Sequence, residues 1–68
     1  MDGEKLKRWR LVRRMSIQEL AEKSGVNHSA ISEMERNKRE ARPKTIGKLA
    51  DALDVTVEDL LKDDLSGE

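Results

Sequence analysis

Residues 15–35 read Met15-Ser16-Ile17-Gln18-Glu19-Leu20-Ala21-Glu22-Lys23-Ser24-Gly25-Val26-Asn27-His28-Ser29-Ala30-Ile31-Ser32-Glu33-Met34-Glu35, and this stretch decides the fold. Met15-Ser16 with Leu20, and Val26-Asn27 with Ile31, repeat one helix-start pattern: an apolar residue, a capping Ser or Asn, and a second apolar residue four positions after the cap. The first of the two helices stops at Gly25, where a left-handed backbone is easiest. Only Gly25, Val26 and Asn27 separate it from the next, so the pair meets at a steep angle rather than antiparallel, and the small Ala21 allows close approach. This is a helix-turn-helix arrangement, whose second helix is pushed outward to where it can enter a DNA major groove.

Working outward, the start pattern recurs at Val55-Thr56 with Leu60, and box-like acids stand three residues after two of the caps, Glu19 after Ser16 and Asp59 after Thr56. Asn37 is the next best residue after Gly for ending a helix, and Pro43 suits a first helical turn, where its missing N–H is no loss. The signals predict five helices, at 3–13, 17–24, 28–36, 43–53 and 57–63, with 38–42 as a connecting loop. Strands have no support, because no β-branched or aromatic alternation exists. The expectation is an all-α, compact five-helix domain over 1–65, with a frayed tail at 66–68.

At 68 residues the chain buries only about 60% of its unfolded surface, and a single core of this size supplies on the order of 3–5 kcal/mol. With no Cys and one His (His28), neither a disulfide nor a zinc site can add to that margin, so no metal is expected. Apolar runs such as Leu60-Leu61 fall far short of the roughly 20 residues needed to span a bilayer, and no signal-peptide pattern opens the sequence. A cytoplasmic protein without a membrane partner is expected. One aromatic, Trp9, cannot provide the stacked rings that grip single-stranded nucleic acid. No Cys nucleophile, glycine-rich phosphate loop or paired His is present, so no enzyme, cofactor or small-molecule ligand is expected.

The formal charge of zero conceals an asymmetry. Residues 1–48 carry 13 Lys and Arg against 7 acids, whereas 49–68 carry Lys62 alone against 7 acids. Cations crowd positions 5–14 and 36–44, and if the fold gathers them on one side they form a polyanion-binding face; a merely solvated surface is the plain alternative.

On a helix of about 100° per residue, His28, Ser29, Ser32, Glu33 and Arg36 share one polar arc, while Ala30, Ile31 and Met34 lie opposite and must face the core. Glu35 falls between. On the first helix Leu6, Trp9, Arg10 and Arg13 share a face, which makes Arg10 a cation flanked by core residues. A part-buried Arg10–Glu35 pair fixing the third helix to the first is the inference; two ordinary surface residues are the alternative.

The 15–35 segment, with Thr45-Ile46-Gly47-Lys48-Leu49-Ala50-Asp51-Ala52-Leu53-Asp54-Val55 further on, closely resembles the phage-repressor and Cro-type, or XRE-like, helix-turn-helix family, over about residues 5–62. The resemblance implies a five-helix domain that binds operator DNA as a twofold dimer, with an Arg of the first helix paired to a Glu at the end of the third, where Arg10 and Glu35 stand. It implies base readout at His28, Ser29, Ser32 and Glu33. Chemically, the imidazole can donate to guanine, the hydroxyls serve either way, and Glu33 can accept from cytosine N4 or instead repel phosphate at wrong sites. Backbone contacts are expected from Gln18, Asn27, Arg36, Asn37, Lys38, Arg39 and Arg42, with Arg13 and Arg14 as additions. Three positions depart from the family pattern. Ile17 replaces a phosphate-contacting Gln, Asn37 replaces a Gly, and Arg14 replaces another Gly, so that it either takes a strained turn or extends helix one.

On the fifth helix Val57, Leu60, Leu61 and Leu65 carry more apolar surface than a short acidic helix needs, although Leu60 and Leu61 can simply close the core. A homodimer interface there would set two recognition helices about 34 Å apart on a palindromic duplex. The rival is a protein-binding helix-turn-helix module, such as an antitoxin or anti-repressor partner.

Overall fold

The computed structural model describes residues 2–61. Its five helices are α1 (Gly3–Val12), α2 (Ile17–Ser24), α3 (His28–Glu35), α4 (Pro43–Leu53) and α5 (Val57–Leu61), within a residue or so of the expected limits wherever those limits fall among the described residues. Leu65 and the proposed tail lie outside them.

The starts form as the sequence dictates. Ser16 Oγ accepts from the Glu19 N–H at 3.0 Å while Glu19 Oε1 accepts from the Ser16 N–H at 2.8 Å, closing a capping box that satisfies two otherwise orphaned donors. Thr56 and Asp59 make the same reciprocal pair at α5, at 3.0 and 3.2 Å. Asn27 Oδ1 accepts from the Ser29 N–H at 2.8 Å at the start of α3.

The stops are less orthodox. Gly25 ends α2 at φ 76°, as expected, but Arg14, Asn37 and Asp54 also take the left-handed conformation, at φ 56°, 59° and 60°. At all three the chain makes the paired reverse hydrogen bonds of a Schellman turn. After α1 these run from the Met15 N–H to the Arg10 carbonyl and from the Arg14 N–H to the Leu11 carbonyl. After α3 they run from Lys38 to Glu33 and from Asn37 to Met34, and after α4 from Val55 to Ala50 and from Asp54 to Asp51. Arg14 therefore ends helix one in a turn and does not extend it.

Leu6, Leu20, Ile31, Leu49, Leu53 and Leu60 are fully buried, with Met34, Ile46 and Ala50 beside them, so each of the five helices sends at least one side chain into a single core. Fully burying a Leu or Ile contributes about 1.5–3 kcal/mol relative to leaving it exposed. α2 packs on α3 and α4, while α1 packs on α3 and α5, which holds α3 from both sides. Trp9 is half-buried against the core, and the Arg13 guanidinium stands over its ring, 5.5 Å from the centroid.

Gly47 sits inside α4 with nothing within 4 Å of the Cβ it lacks. Gly47→Ala should therefore remove backbone entropy from the unfolded chain without a clash, stabilising by about 0.5–1 kcal/mol. The expected readout is a rise of several degrees in Tm by circular dichroism. A lower Tm would mean that α4 needs glycine for a reason other than space.

Candidate nucleic-acid interface

The third helix is seated by what lies behind it. Ile31 and Met34 enter the core, and Glu35, 9% exposed, meets Arg10, 8% exposed, in a bidentate pair. Arg10 Nε donates to Oε2 at 2.6 Å and Nη2 to Oε1 at 3.0 Å. The third nitrogen, Nη1, donates to the Met15 carbonyl at 2.8 Å, so the same guanidinium also holds the turn that precedes α2. Among the described residues no buried side-chain nitrogen or oxygen lacks a partner, which is the condition under which a buried ion pair is tolerable.

With its back fixed, α3 turns His28 and Ser29 fully outward and leaves Ser32 and Glu33 half-buried. These four line a groove with Ser16, Ile17, Gln18 and Arg36. Gln18 is thereby brought beside the outward arc of α3, although it belongs to the preceding helix. Asn27 lies next to it, around a neighbouring depression that Gln18 and His28 also border. Ile17 holds a place in the groove wall and has no polar group to offer a phosphate. Arg36 is exposed at the end of the arc, its Nε 3.4 Å from the Ser32 carbonyl, a long hydrogen bond that does not fix it firmly.

Lys38 is exposed in the connecting loop. Arg42 and Arg39 together border a hollow that Val26, Ala30 and Met34 also line. Arg39 reaches back to the reading arc, where its Nε donates to Glu33 Oε1 at 2.8 Å, with Arg39 exposed and Glu33 half-buried.

Two of the expected backbone-contact residues also have tertiary partners. Asn37 Oδ1 accepts from the Gly3 N–H at 2.9 Å, so this side chain fastens the start of α1 to the end of α3. Arg13 Nε donates to the Leu53 carbonyl at 2.8 Å and Nη2 to the Asp54 carbonyl at 3.2 Å. It therefore caps the end of α4. Both roles are tertiary, joining residues 34 to 41 positions apart, and no local pattern announces them. Asp2, whose carboxylate accepts from the Glu4 N–H at 3.1 Å, caps α1, a role the sequence analysis did not assign although Asp before a helix is a cap signal.

The apolar surface of α5 also divides. Leu60 is 1% exposed and belongs to the core, because α5 lies across α4 and α1 with that side chain inward. Val57 at 40% and Leu61 at 52% remain outside, together with Leu11 and Val12 on α1, which the sequence reading did not single out. Leu65 is not among the described residues. No helix among those residues is long and apolar enough to cross a membrane.

Comparison with known proteins places this geometry. A family model described as "Helix-turn-helix" matches residues 6–60. The chain is 42% identical over 60 residues to the HTH-type transcriptional repressor RghR of Bacillus subtilis (strain 168), covering 87% of this chain and 44% of that protein. It thus spans less than half the length of that repressor. The N-terminal DNA binding domain of SinR from Bacillus subtilis superposes with a TM-score of 0.85 at 36% identity, covering 97% of this chain and 94% of that one. The restriction-modification controller protein C.AhdI from Aeromonas hydrophila gives a TM-score of 0.83 at 34% identity, over 85% and 88% of the two chains.

Proposed function

The chain belongs to the helix-turn-helix family, and from that premise we propose that it is a sequence-specific, duplex-DNA-binding transcription regulator, a repressor acting in the cytoplasm, with α3 in the major groove. One observation carries the reading: α3 is locked from behind by the Arg10–Glu35 pair, while its outward arc is polar and opens onto a groove shared with Gln18 and Arg36. A helix held this way presents donors and acceptors to base edges at a fixed angle. The relatives agree in kind, one being described as a transcriptional repressor and another as a DNA-binding domain.

On this reading His28, Ser29, Ser32 and Glu33 face base edges, and Gln18, Asn27, Arg36, Asn37, Lys38, Arg39 and Arg42 supply backbone contacts. Two copies meet through the exposed Val57 and Leu61 on a palindromic operator. A monomeric sedimentation profile with and without a palindromic duplex would remove the dimer from the proposal.

Salt titration tests the main claim. Each phosphate neutralised should add a slope of about −0.9 to log K against log salt for B-DNA, so a protein with several such contacts should show a steep linear decline. A flat line would refute phosphate contact and turn the polar arc over to a protein partner.

A further inference from the structure

Glu33 is an anomaly on the outward arc of α3. It is the acid among the groove-lining side chains His28, Ser29, Ser32 and Arg36, and a bare carboxylate there would face the phosphates that the surrounding cations are placed to attract. At physiological salt charges interact appreciably within about 8 Å, so that repulsion would be felt at the contact surface. The structure supplies a counter-charge from outside the helix. Arg39, six positions on and in the loop, donates through Nε to Glu33 Oε1 at 2.8 Å. The two side chains are 54% and 41% exposed, and ion pairs this wet contribute little to folding. The pair therefore has small value as a staple of the fold, and its position on the reading surface gives it another use.

We propose that Arg39 is a specificity-determining residue that acts through Glu33, cancelling the carboxylate's charge and orienting it so that its second oxygen accepts a hydrogen bond from a cytosine amino group. This rests on the duplex-binding reading above and deepens it, since it moves Arg39 from the set of phosphate contacts to the set of positioning residues. The chemistry fits the partner. An ionised carboxylate only accepts, cytosine N4 only donates, and Arg39 occupies Oε1 while Oε2 accepts no hydrogen bond among the described residues. Without Arg39 the carboxylate would be both repulsive and free to rotate.

The test is selection of bound sequences from a random duplex pool by the wild-type chain, Arg39→Ala, Glu33→Ala and the double variant, followed by salt titrations on the selected duplex and on one altered at the cytosine position. The wild type should fix a C·G pair in each half-site and discriminate against its replacement by about 10-fold, in the range of a single good base contact. Each single variant should lose the preference at that same pair while keeping the others, and the double variant should lose no more than either. The salt slope of Arg39→Ala should match the wild type. The proposal is overturned if Arg39→Ala keeps the cytosine preference, binds all duplexes more weakly by one factor and loses about 0.9 from its slope, the signature of a plain phosphate contact. It is equally overturned if the wild type shows no preference that depends on Glu33. Failure of the wild type to bind any duplex would sink the DNA reading itself, and so is distinguishable from both. Since ion pairs this open to solvent contribute little to folding, unchanged thermal unfolding of the variants is expected and confirms that folding is not what the selection reports.

Discussion

Arg10→Ala is expected to leave a large fraction of the chain, about half, unfolded at room temperature. The substitution strands Glu35, 9% exposed, without either of the donors that reach its two oxygens at 2.6 and 3.0 Å. Breaking a buried ion pair by removing one partner costs about 3–5 kcal/mol, because the remaining charge is left uncompensated in a poor solvent for it. The whole stability of a domain this small is on the order of 3–5 kcal/mol, so the two quantities are of the same size. The Met15 carbonyl loses a donor as well, which loosens the turn before α2. Urea unfolding followed by helical ellipticity checks the expectation, and a loss below about 1 kcal/mol would show that water reaches the pair and screens it. A companion variant separates charge from packing. Arg10→Met with Glu35→Leu removes both charges and fills similar volume, so it should be more stable than either single change, whereas a simple loss of contacts would make it the worst of the three.

Gly3→Ala should produce the next largest loss, although it adds one methyl group. A Cβ built on Gly3 lies 2.0 Å from the Met34 carbonyl oxygen and 2.7 Å from that of Glu35, and these are backbone atoms that cannot swing aside. The first turn of α1 must then lift from the last turn of α3, breaking the hydrogen bond from the Gly3 N–H to Asn37 Oδ1. Overpacking of this kind typically costs about 1–3 kcal/mol, equivalent to a fall of roughly 5–20 °C in Tm for a domain of this length. Gly47→Ala, where the added methyl meets nothing, should move Tm the other way. Equal shifts at both glycines would mean that helix propensity and not close approach governs them.

What was legible in the sequence was local or periodic. Staples and caps within five residues located α2, α3 and α5, because the groups that satisfy a helix start are near neighbours in sequence. The wheel placed Ile31 and Met34 inside and His28 and Ser29 outside because α3 makes two full turns, enough for the period to be seen. It also paired Arg10 with Glu35, since each sits at the edge of an apolar face. α5, with five described residues, gave too short a record. Leu60 and Leu61 are adjacent, and which of them turns inward depends on where α4 and α1 lie. Arg14 ends a helix in a conformation that favours glycine and its residue type does not advertise it, whereas Asp54 does so with a residue type that tolerates the left-handed region. Arg13, Gly3 and Asn37 act across the fold, and Arg39 crosses from a loop to a helix, so their partners came into view only with the packed chain.

The latch between Gly3 and Asn37 has a practical corollary. Asp2 stands at the same place, its carboxylate 3.5 Å from Asn37 Nδ2. Any purification tag fused ahead of Asp2 would leave the domain next to the final turn of the recognition helix. A polyhistidine or otherwise basic leader there would add its own attraction for polyanions, and an acidic one would oppose it. Affinities measured before and after tag removal should differ in a direction set by the leader's charge.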